Sequence, residues 1–252
     1  MSPLILAIET SQQSCGVALR DANSVHSRQQ LAARQHANLL LPMIEELLTD
    51  NKLAIKDLDA IAFSCGPGSF TGARIAASVT QGLAYAANAQ AIPVSSTLAL
   101  AHTYAQERPA SDNTPSFVLI DAHMGEYYAA CYRFSSDYAL TDTLLTDSLL
   151  SHKQLLDELS RCESTAILGN GAKVLLEKSE SELSKNLIKR LQEVTEAQLT
   201  LQARASSVLV LAEATWQAGK AIAPEHAIPV YLRERTAWKT VEQQNLSQTE
   251  ST

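Results

Sequence analysis

No apolar stretch of the 252-residue chain reaches the roughly 18 residues that a membrane-spanning helix needs, so neither a transmembrane segment nor a membrane partner is expected. The N-terminus also lacks a basic region. It meets an acid at Glu9, too early for a secretory leader, and a cytoplasmic protein is expected. Positive charge is in deficit, with 20 Lys and Arg against 27 Asp and Glu and a net charge of −7. Such a chain gains little from a phosphate backbone, which argues against unaided tight binding of nucleic acid. Cys15, Cys65, Cys131 and Cys162 form no CxxC pair, which excludes zinc-finger spacing and leaves reduced, mostly buried thiols. The histidines make no HExxH or HxxxH pair, so no helical metal site is available, and no GxSxG nucleophile elbow is present. With 46% hydrophobic and 19% charged residues, the chain reads as one large globular domain or two small lobes.

The stretch that organises what is present is Gly66-Pro67-Gly68-Ser69-Phe70-Thr71-Gly72. It joins an apolar run, Ala60 to Cys65, to a helix pattern that begins near Thr71. Such a junction turns backbone N–H groups outward at a helix N-terminus, where the dipole favours an anion. No Lys-Ser/Thr follows the last glycine, and Gly72 lies four residues past Gly68, so neither a Walker A loop nor G-x-G-x-x-G is present. Two readings stay open. One is a weak phosphate contact through Ser69, Thr71 and backbone amides. The other is a tight turn capped by Ser69 or Thr71, the commoner use of such residues.

Around this loop the chain reads as two similar halves. Leu4 to Glu9, Cys15 to Leu19 and Val25 to Leu31 predict a three-stranded meander, with the first run central because it is apolar throughout. A helix is expected from about Gln35 to Thr49, where Leu39, Leu40, Met43, Ile44, Leu47 and Leu48 form a wide stripe interrupted by Pro42. The helix from about Thr71 to Asn88 is paved with alanine and glycine. A strand at Ala91 to Val94 and a helix to about Gln106, capped from Ser95 to Thr97, follow. Arg108 to Thr114 reads as a lobe boundary. Phe117 to Asp121 then repeats the opening theme, an apolar run ending in an acid. Tyr127 to Phe134 and Tyr138 to Thr146 complete a second meander. Helices are expected at Ser151 to Ser160, after Gly169-Asn170-Gly171, at Leu183 to Leu191, and from a cap at Ser206 and Ser207 to about Ala218. A short strand lies at Thr165 to Leu168. The organisation is an N-terminal lobe over 1–107, a C-terminal lobe over 108–233 and a polar tail over 234–252, expected to be disordered, in which only Trp238 is suited to dock. Such duplicated folds place ligands between the lobes. Glu9 and Asp121, at corresponding strand ends, are candidate carboxylates for Mg²⁺ on a nucleotide, with turn acids bonding nearby amides as the competing reading.

Leu4-Ile5-Leu6-Ala7-Ile8-Glu9-Thr10-Ser11, Leu40-Leu41-Pro42-Met43-Ile44, Gly66 to Gly72 with Ala73-Arg74-Ile75, Asp121-Ala122-His123-Met124 and Tyr231-Leu232-Arg233 together resemble the TsaB family. The GPGSFTG-x-R run is the most specific of these. The resemblance implies an α/β fold of two actin-like lobes, the ATPase fold shared with Hsp70 and sugar kinases, each lobe built as βββαβα. It also implies a role in making threonylcarbamoyladenosine in tRNA, at the adenosine beside the anticodon. The implied partners are a TsaD-like catalytic subunit, which transfers the threonylcarbamoyl group, and a TsaE-like ATPase, with tRNA engaged only indirectly. TsaD carries a metal-binding HxxxH where this chain has Val94-Ser95-Ser96-Thr97-Leu98-Ala99-Leu100, and His102 alone cannot replace it. TsaD's glycine-rich second-lobe loop corresponds here to Asp121 to Glu126, where bulky His123 and Met124 are expected to narrow a phosphate site. Glu9 stands where the TsaB family commonly has Asp, and His123 where it commonly has Arg, which weakens the case for a nucleotide contact.

The resemblance and the residues together lead to a degenerate, non-catalytic subunit with no catalytic residues and no metal. No cofactor of its own is expected, ATP or ADP having a place only at a partner interface. A large-residue stripe facing a small-residue stripe suits close helix packing within or between chains. The partner surface is expected on the first two helices, through Leu39, Leu40, Met43, Ile44 and Leu47 on one and Ala73, Arg74, Ala77 and Thr80 on the other. The same surface would serve a homodimer. A residual phosphate contact falls to Thr10, Ser11, Gly68 and Ser69. The competing reading is an active ATP-dependent enzyme or glycoprotease-like hydrolase of the same fold.

Overall fold

The computed structural model describes residues 3–20, 24–32, 34–162, 164–179 and 183–233. The tail over 234–252, with Trp238, lies outside them.

A strand with no polar alternation must be covered on both faces. Strand β1 (Ile5–Glu9) is buried at every position. It is the centre of a five-stranded sheet, between antiparallel β2 (Ser14–Arg20) and parallel β4 (Ala60–Ser64), with Ile8 level with Val17 and Phe63. The more polar β3 (Val25–Leu31) and the shorter β5 (Gln90–Val94) take the two ends. One face of this sheet carries α1 (His36–Asp50) and α2 (Phe70–Ala87). Leu6, Ile8, Val17, Ile61 and Phe63 pack there against Leu40, Ile44, Leu47, Ala76 and Ala77. Helix α1 continues through Pro42 to Asp50.

The other face is lined by small residues, Ala7, Ala18, Ala60 and Ala62, so helices approach it closely. Those helices are α3 (Ser96–Glu107) and α8 (Ala205–Gln217). Beyond them lies the second sheet, of order β8-β7-β6-β9, formed by β6 (Ser116–Asp121), β7 (Glu126–Phe134), β8 (Leu140–Ser151) and β9 (Ala166–Leu168). Val118, Ala130, Tyr132 and Phe134 of this sheet join the same apolar layer as Leu100 and Leu209. The outer face of the second sheet is covered by α4 (His152–Arg161), α5 (Gly171–Ser179) and α6 (Lys185–Gln192), and α7 (Glu196–Thr200) lies against β9. Each lobe thus begins as βββαβα, the two-lobed actin-like arrangement.

Three expectations change. The third strand of the second meander runs to Ser151, with register shifts near Cys131 that absorb its extra length. Helix α8 is not capped by Ser206 and Ser207. Its N-cap is Arg204, and Ser207 is buried inside the helix, accepting from Thr103 Oγ1 at 2.9 Å. The span 108–233 is also not one packing unit. Helix α8 lies on β1, β2 and β5, Ile222 pairs with Ala91 beside β5, and the chain then returns to the glycine loop.

Candidate functional site

The glycine loop meets the turn after β1. Ser69 N donates to the Ser11 carbonyl at 2.7 Å, and Thr10 Oγ1 donates to the Gly72 carbonyl at 2.8 Å. Ser69 caps α2, its Oγ accepting from Gly72 N at 3.2 Å. The approach is close enough that only glycine fits. A Cβ at Gly68 would lie 2.6 Å from the Ser11 carbonyl oxygen, and one at Gly72 would lie 1.8 Å from that of Thr10. Thr10, Ser11, Gly68 and Ser69 are therefore brought together, but the Ser69 amide and the Thr10 hydroxyl are directed at their neighbours. Thr10 and Ser11 are buried as well. Ser69 is thus the cap of a tight turn, and two of the groups expected to meet a phosphate are engaged within the chain.

The two strand-end acids also turn inward. Glu9 is fully buried. One carboxylate oxygen accepts from Ser11 N and Ser11 Oγ, both at 2.6 Å, and the other from Ser64 Oγ. Burial holds its pKa above the ordinary carboxylate value, against the opposing pull of the Ser11 and Ser64 hydrogen bonds. Asp121 accepts from His123 N at 3.0 Å and lies 3.1 Å from His123 Nδ1. Both acids take the turn-acid role rather than facing each other across a cleft. His123 and Met124, at φ 62° and 58°, are largely exposed, and Met124 Sδ lies 3.6 Å from Arg233 Nη1. Among the described residues no three His, Cys, Asp or Glu side chains gather as metal ligands.

Where the lobes meet at the start of α3, a polar cluster replaces them. Asp147 of β8 accepts from Thr97 Oγ1 and, at 3.2 Å, from Tyr132 OH. Thr97 also bonds Ser95 Oγ at 2.9 Å, while Ser95 caps α3 by accepting from Leu98 N. A carboxylate at a helix N-terminus is favoured by the helix dipole. Burial, and next the Asp147 charge, pushes the Cys65 thiol up to about 12. Asp147 sits on an exposed-looking polar strand, and no sequence signal marked it.

The segment after α8 ties the lobes together. Val230 N donates to the Cys65 carbonyl at 2.8 Å. Arg74 Nε donates to Tyr231 OH at 2.8 Å, and its guanidinium lies 3.6 Å over the Phe70 ring. Arg233 reaches the second lobe, donating to Glu126 Oε2 at 2.6 Å and to the Ala122 carbonyl at 3.0 Å. Phe70 and Arg233 both lie in motifs the sequence displays, but nothing in the spacing of those motifs shows that the glycine loop and the strap after α8 meet.

The expected partner residues divide by burial. Leu40, Met43, Ile44 and Leu47 face the chain's own sheet, as do Ala73, Ala77 and Thr80. Their wide stripe is intramolecular, because α1 and α2 must cover one whole sheet face. This corrects the assignment of those seven as contact residues. Arg74 is exposed and Leu39 half-buried. The outward faces of the same helices present Leu41 (51% exposed) on α1, and Arg74, Ser78, Gly82 and Tyr85 (84% exposed) at helical spacing on α2.

A family model described as TsaD, tRNA N6-adenosine threonylcarbamoyltransferase, matches residues 22–241. The tRNA threonylcarbamoyladenosine biosynthesis protein TsaB of Escherichia coli K12 is 32% identical over 236 residues, covering 93% of this chain and 96% of that protein. The TsaB of Haemophilus influenzae is 31% identical over 241 residues, covering 93% and 95%. A tRNA N6-adenosine threonylcarbamoyltransferase of Legionella pneumophila is 35% identical over 130 residues, which cover 45% of this chain and 37% of that protein. Among solved structures, YeaZ from Pseudomonas aeruginosa superposes with a TM-score of 0.75 at 29% identity, over 91% of this chain and 100% of that one.

Proposed function

Since the chain belongs to the TsaB family, we propose that it serves threonylcarbamoyladenosine synthesis in tRNA as a non-catalytic subunit that binds and supports a TsaD-like catalytic chain. The observation that carries this reading is the closed glycine loop. The Ser69 amide and the Thr10 hydroxyl, two of the groups expected at a phosphate, hold the loop to the β1 turn instead. At the start of α3, where the catalytic relative carries its metal histidines, Thr97 and Tyr132 hold Asp147. A TsaE-like ATPase joins the assembly, tRNA is met through the complex, and any ATP or ADP sits at an interface rather than in this chain alone.

The partner face is the outward stripe of α2 with the neighbouring surface of α1, and a second copy of the chain can occupy it when the catalytic chain is absent. Co-purification tests this. Ser78→Arg and Gly82→Arg change exposed positions and should abolish association with the TsaD-like chain without lowering the melting temperature. Unchanged association in both removes the interface from α2. Leu40→Asp is unsuitable, since it would place a charge in the core. The competing reading is an ATP-dependent enzyme of the same fold. Calorimetry with ATP and Mg²⁺ discriminates, and micromolar binding, about −8 kcal/mol, with turnover by the isolated chain would favour the enzyme.

A further inference from the structure

We propose that the outer edge of Arg74 is the receptor for a carboxylate side chain of the protein partner that docks on α2, with Phe70 and Tyr231 as its apolar rim. The proposal rests on the reading of α2 as the partner face and adds the chemistry of the contact.

The first observation is the posture of the side chain. Arg74 Nε is committed to Tyr231 OH at 2.8 Å. The guanidinium face lies 3.6 Å above the Phe70 ring centroid and 5.5 Å from that of Tyr231. The two rings are themselves 5.9 Å apart, so the cation is held beside a tilted aromatic pair. Among the described residues no hydrogen bond or ion pair engages the edge with Nη1 and Nη2. Two parallel N–H groups held in a plane match a carboxylate in bidentate geometry.

The second observation is the missing counter-charge. Arg20, Arg28, Arg204 and Arg233 each hold a carboxylate within the chain. Among the described residues no carboxylate lies within ion-pair distance of Arg74, in a chain of net charge −7. An exposed guanidinium fixed by aromatics and left without an anion has already lost most of the rotamer freedom that docking would otherwise remove.

The third is the rim. Phe70, Tyr231, Ile228 and Val230 are all exposed large hydrophobics around the same loop and strap. Aromatic and arginine side chains are the types that dominate interface energetics. A phosphate backbone is a poorer occupant, because it is gripped by several cations at once, and the nearby guanidinium of the strap among the described residues, Arg233, is already held by Glu126. A single carboxylate on a polypeptide fits a single fork with an apolar surround.

The test measures affinity for the TsaD-like chain by calorimetry between about 50 and about 500 mM salt. Arg74→Gln should weaken binding by about 10-fold or more and flatten its salt dependence. Arg74→Lys should recover only part of the loss, since an ammonium presents no fork. Tyr231→Phe, which keeps the ring and removes the Nε acceptor, should fall between wild type and Arg74→Gln. In a scan of the partner's exposed Asp and Glu residues, one amide substitution should cost nothing further in the Arg74→Gln background. Binding by Arg74→Gln within about twofold of wild type, with the same salt slope, overturns the receptor. If Gly82→Arg still abolishes binding, only the receptor falls. If it does not, the α2 interface falls as well. Loss of tRNA retention in a gel shift with protein affinity intact would assign Arg74 to a phosphate and overturn the carboxylate.

Discussion

Gly72→Ala should destabilise the protein, although the position lies in a helix where alanine is ordinarily preferred. A Cβ there would sit 1.8 Å from the Thr10 carbonyl oxygen and 2.9 Å from its carbon. That is roughly 1.5 Å inside ordinary contact. The obstacle is backbone, in the turn that follows the central strand β1, so it cannot swing aside as a side chain would. Relief requires the first turn of α2 to lift away from Thr10 and Ser11. That breaks the Thr10 Oγ1 bond to the Gly72 carbonyl and the Ser69 N bond to the Ser11 carbonyl. Each is worth about 1 kcal/mol net, and the forced displacement adds about 1–3 kcal/mol. Helix propensity returns about 1 kcal/mol. The balance is a loss of about 2–4 kcal/mol. Gly82 lies in the same helix, and its Cβ would meet nothing within 4 Å. Gly82→Ala should therefore gain about 1 kcal/mol. Urea unfolding followed by circular dichroism, with the m value held in common, reads both. A Gly72→Ala protein as stable as wild type would refute the closed glycine loop, and with it the main support for a chain that holds no phosphate there.

Three further outcomes follow from the buried polar groups. Asp147→Ala removes the acceptor shared by Thr97 and Tyr132 at the lobe junction, and should cost about 1–3 kcal/mol in the same assay, with Asp147→Asn retaining part of it. Glu9 has its pKa raised by burial, so the stability it contributes is present in acid and is lost as pH rises through its folded value, above the ordinary 4.5. Glu9→Gln should flatten that part of the pH–stability curve, and an unchanged slope would show that Glu9 is not titrating there. His102 is buried against Phe134, among the described residues neither ring nitrogen has a hydrogen-bond partner, and burial lowers its pKa from 6.5 to about 4. Its contribution is full above 6.5 and is lost as pH falls toward 4, so His102→Leu should remove an acid-side loss of about 3 kcal/mol in melts between those pH values.

Much of the architecture is legible in the sequence alone. Local pattern carries most of that information. Continuous apolar residues in Ile5–Glu9 require a central strand, Ser69 followed by a helix pattern requires a cap, and two apolar runs ending in acids announce a repeated lobe. The site was less legible because its residues depend on partners distant in sequence. Leu40 and Ala77 read equally as core or as interface, since a stripe shows which residues share a face and not what covers it. Covering the sheet used both stripes, and the exposed surface passed to Leu41, Arg74 and Tyr85 on the opposite sides of the same helices. Asp147 meets Thr97 across 50 positions and Arg74 meets Tyr231 across 157. No spacing rule reaches that far.

Periodicity and caps were enough to mark two similar α/β lobes, and the resemblance carried by the GPGSFTG run and its companion motifs implied the actin-like fold and the family, because each signal is encoded within a few neighbouring residues. Whether the glycine loop stays open to a ligand, and which side of α2 faces outward, depended on the turn after β1 and on the strap after α8 closing over it. Those contacts exist only once the ends of the chain have been brought together.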